Sequence, residues 1–241
     1  MNKKIFFALL FFFQLSISFA LFAQKRSTVP PQIQQKLDYV QNDSSDCTLE
    51  YIVTLEKELR AMYSSDDYVF FITEFRKGKL YTGSGEYTEA ILHFKKAFKI
   101  VEKQSVEHNT DIANVASWLG YVYYTAGDYD NALLYFNKGL IIAKEMLGEN
   151  HPNTARFYGN VGRVYYAKRD FDNALLYSGK GLAIVENMLG KKHPDTASFY
   201  GNIGDVYWAP LKTRGNLHKF SNMLKFQYEE RARIFRRRNQ T

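Results

Sequence analysis

Two histidines in this sequence have a residue type that could bind a metal ion. His151 and His193 each precede a proline, and imidazole is a common zinc ligand. They stand 42 residues apart, and no Cys or His falls at ligand spacing from either of them. We therefore expect both histidines to mark turns between helices, and we expect no metal site.

Two pairs of carboxylates recur at the same spacing. Asp128 with Asp130, and Asp170 with Asp172, resemble part of a calcium loop or an acid and base pair. The glycine and the closing glutamate of an EF-hand loop are absent from both. Because an aspartate that precedes an apolar periodic run suits the cap of a helix, we predict that Asp128 and Asp170 are N-caps.

The remaining reactive residue types form no recognisable site. Gly83-Ser84-Gly85 lacks the preceding strand and the third glycine of a phosphate-binding loop, which favours a turn between helices. Cys47 is the only cysteine, so no intrachain disulfide can form, and we expect it to be semi-buried. The five histidines complete no Ser/His/Asp or Cys/His arrangement. We expect neither catalysis nor a cofactor.

The chain has enough apolar material for a packed core, and its charge is localised. Of its 241 residues, 46% are hydrophobic and 16% aromatic. Residues 210–241 carry nine Lys and Arg against two Glu, which equals the net charge of +7. This end is either a solvated basic tail or a weak contact for an anionic surface. The arginines concerned are Arg231, Arg233, Arg236, Arg237 and Arg238.

The N-terminus has the pattern of an export signal. Lys3 and Lys4 precede an apolar run over 5–22, which is followed by Ala23. We predict a signal peptide over 1–23 and an exported protein, periplasmic or secreted, for which binding to nucleic acid is not expected. The alternative is an uncleaved membrane anchor, since the run approaches the roughly 20 residues that span a bilayer.

An internal repeat dominates the sequence. Shifted by 42 residues, 128–150 matches 170–192 at 14 of 23 positions, and 151–167 matches 193–209 at 12 of 17. A weaker copy begins near Gly78. A period of this length is typical of a solenoid of stacked repeats.

Each repeat unit reads as two helices. We predict the first near 152–167, beginning at Pro152, and the second near 129–147 or 171–189. Gly148 and Gly190 then end the second helices. Before the units we predict a short helix within 29–41 and another over 47–62.

Glycine recurs at one position of the first helices. A glycine within a helix costs about 1 kcal/mol relative to alanine, so Gly120, Gly162 and Gly204 indicate a close approach of two helices. We expect Tyr135 or Tyr177 to lie across the bare backbone.

The repeat pattern places four segments along the chain. After Ala209 the pattern fails, which predicts either a divergent cap or the end of a truncated longer protein. The predicted segments are a signal peptide (1–23), an N-terminal helical cap (24–65), repeats (66–209, divided as 66–108, 109–150, 151–192 and a partial 193–209) and a basic tail (210–241).

The repeat resembles the tetratricopeptide repeat in its glycine, in the tyrosine three residues later and in the following D-Y/F-x-x-A-L-x-Y segment. Its 42-residue spacing and HPxTA linkers are most similar to the kinesin-light-chain-like subgroup, which is frequent in bacterial exported proteins. The resemblance implies an all-α fold, a TPR-type α-solenoid in which antiparallel helix pairs form a right-handed superhelix. Ser178 departs from the pattern, because Phe94 and Phe136 occupy the equivalent positions, and Gly139 and Gly181 replace the usual alanine.

The resemblance also implies a concave face, lined by the first helices, that binds an extended peptide. Asn160 and Asn202 match the asparagine that reaches the ligand backbone in this subgroup, and Arg163 could hold a carboxylate. The alternative is a solvated helix face. The implied groove residues are Trp118, Tyr121, Tyr124, Arg156, Asn160, Arg163, Tyr166, Asn202, Asp205 and Trp208.

These implications favour a protein-interaction module whose partner is a protein or peptide. Two other functions remain open: the sensor or scaffold portion of a larger signalling protein, and an envelope-surface binder that uses the basic tail.

Overall fold

The computed structural model describes residues 29–42, 46–104 and 109–214, and every regular element within these ranges is an α-helix. The prediction of an all-α fold is confirmed for this part of the chain. The helices are α1 Pro31–Gln41, α2 Leu49–Arg60, α3 Tyr68–Gly83, α4 Tyr87–Glu102, α5 Asn109–Thr125, α6 Tyr129–Leu147, α7 Pro152–Ala167, α8 Phe171–Leu189 and α9 Pro194–Arg214.

The helices form a stack in which each packs mainly against its neighbours in the sequence. Helices α3 and α4, α5 and α6, and α7 and α8 form three pairs, and each second helix also packs against the first helix of the next pair. Helix α9 packs on α8, while α1 and α2 both pack on α3. The chain therefore builds a TPR-type α-solenoid from sequential contacts.

The predicted helix caps are confirmed. The Asp128 side chain accepts a hydrogen bond from the backbone N–H of Asn131 at 3.1 Å, and the equivalent bond joins Asp170 to Asn173. Nδ1 of His151 accepts from the backbone N–H of Asn153 at 3.1 Å, so this histidine begins α7. Among the described residues, no cluster of His, Cys, Asp or Glu could hold a metal ion.

Glycines end the second helices as predicted. Gly148 follows α6 with a φ of +89°, and Gly190 follows α8 with a φ of +85°. Few residues with a side chain adopt this left-handed region, so glycine suits the reversal into the next unit.

The close approach predicted at Gly120 exists, but its neighbour is not Tyr135. The ring of Phe136 covers the glycine, and a Cβ added at Gly120 would lie 2.6 Å from it. Successive residues of a helix differ in direction by about 100°. Phe136 therefore faces α5 at the glycine, while Tyr135 stacks on Tyr123 at the side of the pair, with 5.6 Å between the ring centroids.

In the next unit, Gly162 contacts Ser178 rather than Tyr177. A Cβ at Gly162 would lie 2.5 Å from Oγ of Ser178 and 3.1 Å from its backbone nitrogen. Tyr177 stacks instead on Tyr165, with 5.4 Å between the centroids. No described residue lies within 4 Å of a Cβ placed on Gly204, so the approach predicted there is not found in this part of the chain.

Glycine also joins consecutive units. The ring of Phe157 on α7 lies against Gly139 of α6, and the ring of Phe199 on α9 lies against Gly181 of α8. A side chain at either glycine would overlap the ring, which explains why these positions lack the usual alanine.

A cluster of buried charges joins the N-terminal helices to the first unit. Nζ of Lys77 on α3 donates a hydrogen bond to Glu56 on α2 at 2.6 Å. One turn earlier on α3, Glu74 forms a 2.6 Å hydrogen bond with His93 of α4. Cys47 is fully buried in the core between these helices, rather than semi-buried as expected.

The last described helix extends farther than the repeat pattern predicts. Helix α9 continues through Pro210 to Arg214, beyond the break expected after Ala209. The predicted signal peptide and the five arginines of the basic tail lie outside the described residues. None of the described helices is long and apolar enough to cross a membrane.

Candidate functional site

The first helices of successive units line two adjoining pockets. The first has a volume of about 570 Å³ and lies among α3, α5 and α7. The second, of about 740 Å³, lies mainly between α7 and α9. Tyr124, Arg156, Asn160 and Arg163 line both pockets, so the two form one continuous surface, which we call the inner groove.

The 42-residue repeat explains why these side chains meet. Trp118, Asn160 and Asn202 occupy one repeat position on α5, α7 and α9, and each lines the groove. Arg163 lies one turn after Asn160 on the same helix face, because residues three or four apart share a face. Stacking the units therefore converts one face of each first helix into a continuous strip.

The middle of the groove is cationic. The guanidinium of Arg163 lies over the Tyr124 ring, 5.3 Å from its centroid. No carboxylate of the described residues is within ion-pair distance of Arg156 or Arg163. Both arginines are exposed, so their hydrogen-bond donors face solvent and can receive a carboxylate.

The α9 end of the groove has the opposite charge. Asp195 and Asp205 line the second pocket together with Asn202. Asp195 lies 3.7 Å from Nδ1 of His193, whereas Asp205 is exposed. The groove therefore changes from positive to negative along its length, which gives an extended ligand a preferred direction.

The floor of the groove is apolar. Phe136 lies beneath the first pocket, and Val185, Phe199 and Val206 lie beneath the second. These side chains are buried, with at most 6% of their surface exposed. A polar rim above an apolar floor is the usual composition of a ligand site.

The structure brings together all but one of the groove residues named from the sequence. Trp208 is the exception: it is 49% exposed and lines neither pocket. Its repeat counterpart Tyr166 lines the second pocket because α9 lies beside it. No described first helix follows α9, so Trp208 has no equivalent neighbour in this part of the chain. Contact of the other residues with a peptide remains a prediction.

The sequence analysis missed several groove residues. Lys79 and Asn114 line the first pocket and Ser198 lines the second. Lys79 precedes Arg163 by two repeat lengths, and Asn114 and Ser198 flank Arg156 by one repeat length each. Extending the repeat spacing from the two arginines would have found all three.

Comparison with family models supports the repeat assignment. Two models described as tetratricopeptide repeat match the sequence, one over residues 111–187 and the other over residues 75–103. The chain carries tetratricopeptide repeats. Both models describe this TPR unit, which is generally a non-catalytic interaction fold, and neither is a model of an enzyme.

Solved TPR structures share the fold. A putative kinesin light chain of Podospora anserina with nearly identical TPR-like repeats is 17% identical, with a TM-score of 0.63 over 85% of this chain and 95% of that chain. BtubC (BKLC) from P. vanneervenii is 19% identical, with a TM-score of 0.54 over 84% of this chain and 89% of that one. No curated protein matches the sequence.

A third similar structure contains a peptide. The Rap conjugation gene regulator of the plasmid pLS20, solved in complex with the Phr* peptide, is 19% identical, with a TM-score of 0.54. The alignment covers 82% of this chain and 65% of that chain. At these identities the likeness establishes the TPR fold alone.

Proposed function

We propose that the inner groove binds an extended segment of a partner protein and catalyses no reaction. The observation that carries this proposal is the continuity of the two pockets through Arg156, Asn160 and Arg163. A groove of this kind, with apolar floor and unpaired arginines at its centre, has the composition of a peptide-binding surface.

The residue types define how the segment is held. The side-chain amides of Asn160 and Asn202 can each donate to and accept from the main chain of the segment, because an amide has both groups. Arg156 and Arg163 can hold a carboxylate through paired hydrogen bonds. Tyr121 supplies a rigid ring that is 43% exposed, so it loses little conformational entropy on contact.

The structure of the Rap regulator with its Phr* peptide supports the proposal at the level of the fold, since a similar helical stack is titled as a peptide complex. It also favours a second candidate function, in which this chain is the peptide-sensing portion of a larger regulator. An immunoblot of the native protein distinguishes the two, because a product clearly larger than 28.0 kDa would support the second.

We also propose that the protein acts outside the cytoplasm, on the basis of the export pattern over 1–23. N-terminal sequencing of the native protein tests this. A mature N-terminus near residue 24 supports export with cleavage, and a protein that retains Met1 in the cytoplasmic fraction contradicts it.

The peptide-binding proposal can be tested by selecting random dodecapeptides displayed on phage against the full chain. We expect binders whose affinity, measured by calorimetry, falls by about tenfold or more in the double variant Asn160→Ala with Asn202→Ala, because two hydrogen bonds to the peptide are lost.

Leu134→Ala is the matched control, since Leu134 lies on α6, is 49% exposed and does not line the groove. It should leave the affinity unchanged. Equal affinity of the asparagine variant and the unmodified chain would overturn the groove assignment.

A further inference from the structure

Residue 178 breaks the repetition of the groove floor. At the equivalent positions, the ring of Phe94 covers Gly78 and the ring of Phe136 covers Gly120. The Phe94 ring also stacks on Trp118 of the next unit, with 5.7 Å between the centroids. In the first unit, a phenyl ring thus fills the space between a helix pair and the first helix that follows.

Ser178 provides no such ring in the third unit. Within the pair, Gly162 lies directly against the backbone of Ser178, so α7 and α8 are in close contact. Toward α9, Ser178 lines the second pocket, and this pocket is larger than the first, at about 740 Å³ against about 570 Å³. The space that a phenyl ring fills in the first unit is therefore part of the groove here.

The walls of this space are apolar. Val185 of α8 and Val206 of α9 line it, with 1% and 2% of their surfaces exposed, and Phe199 closes its far side. The Ser178 side chain is itself 1% exposed. We call the part of the second pocket bounded by these four residues the Ser178 pocket.

We propose that the Ser178 pocket receives one bulky apolar side chain, of about the size of phenylalanine, from the bound peptide. This inference rests on the proposed peptide-binding function and names the side-chain class that the groove selects. The first unit of this chain provides the precedent, since there a phenyl ring packs between the same two elements of the repeat.

The rim of the pocket identifies the ligand as a peptide rather than a lipid chain. Asn160, Asn202 and Arg156 surround the opening. A bound hydrocarbon would leave their polar groups without partners, which is unfavourable, whereas the main chain on either side of a peptide side chain can satisfy them.

The test uses dodecapeptides selected on phage by the unmodified full chain. We expect the selected peptides to share a bulky apolar residue and to bind the variant Ser178→Phe at least about tenfold more weakly, because the new ring occupies the pocket. The control variant Ser178→Ala leaves the pocket open and should bind within about threefold of the unmodified chain.

Folding is monitored through the thermal unfolding of each variant. Phe is the residue at the equivalent positions of the other units, so Ser178→Phe should unfold cooperatively, near the temperature of the unmodified chain. If it does not fold, Val206→Phe narrows the same pocket from α9 and takes its place, with the same expected loss of affinity.

A second measurement shows whether the loss arises in the pocket. Replacing the shared apolar residue of a selected peptide by Ala should weaken binding to the unmodified chain but have little further effect on Ser178→Phe. Selected peptides that bind both proteins equally would overturn this inference and leave the proposed function intact. Failure to select any peptide would contradict the proposed function and this inference together.

Discussion

The guanidinium of Arg163 lies over the ring of Tyr124, 5.3 Å from its centroid. The contact joins α7 to α5, the first helices of two consecutive units, at the point where the two pockets of the inner groove meet. An exposed cation is thus held by an aromatic neighbour at the centre of the proposed binding surface, and its attraction for the ring adds to this restraint.

Replacing both central arginines should remove the electrostatic part of binding. For a selected peptide that contains a carboxylate, we expect Arg156→Gln with Arg163→Gln to lower the affinity by about tenfold or more, since each arginine can form charge-assisted hydrogen bonds. The salt dependence of the affinity should also decrease. Calorimetry at low and high salt measures both effects.

The control for charge is Lys191→Gln, a replacement at an exposed residue of the turn between α8 and α9. It changes the net charge without touching the groove. An equal loss of affinity in this variant would show that the overall charge, and not the two arginines, attracts the peptide.

Glycines at helix contacts and glycines in open positions should respond oppositely to alanine. Gly120→Ala would place a Cβ 2.6 Å from the Phe136 ring, so we expect a loss of about 1–3 kcal/mol in the free energy of unfolding. Gly179 lies within α8 with no described atom within 4 Å of an added Cβ. Gly179→Ala should therefore add up to about 1 kcal/mol.

Chemical denaturation of both variants measures these changes. A Gly120→Ala protein as stable as the unmodified chain would contradict the close packing of α5 against α6.

The buried pair of Glu74 and His93 should make folding sensitive to acid. Burial alone would raise the pKa of the Glu74 carboxyl, but its hydrogen bond with His93 and the positive charge of Lys77 hold that pKa below its ordinary value of 4.5. Because the unfolded chain binds the proton more readily, the stabilisation is present above the unfolded pKa and is lost as the pH falls through the folded value.

The variant Glu74→Gln tests this. At pH 7 we expect its free energy of unfolding to be lower by about 1–3 kcal/mol, and we expect that energy to fall less steeply below about pH 4.5 than in the unmodified chain. Glu145→Gln, at an exposed residue of α6, should behave like the unmodified chain. Identical acid profiles for Glu74→Gln and the unmodified chain would exclude the pair as the cause.

The repeat made much of the fold predictable from the sequence. Asp128 and Asp170 begin their helices because a side-chain oxygen can accept from the free backbone N–H groups of the first turn, which depends on local sequence alone. The groove positions followed from one resemblance and one spacing, since stacking repeats Asn160 at Asn202.

Features that depend on helix rotation or on contacts outside the repeat could not be predicted in this way. The glycine pattern required a close neighbour at Gly120, but it did not specify whether Tyr135 or Phe136 faced it, because a rotation of about 100° separates the two. The ion pair of Glu56 with Lys77 joins a helix that precedes the repeats to the first unit, so no spacing indicated it.

The most direct test of the peptide-binding groove is an NMR titration of the asparagine side-chain amides with a selected dodecapeptide. Asn160 and Asn202 line the groove, whereas the side chains of Asn131 and Asn173 each donate a 2.7 Å hydrogen bond to a capping aspartate. We predict that the amide signals of Asn160 and Asn202 shift on binding while those of Asn131 and Asn173 remain in place. A bound peptide that leaves Asn160 and Asn202 unshifted would contradict the groove as the binding site.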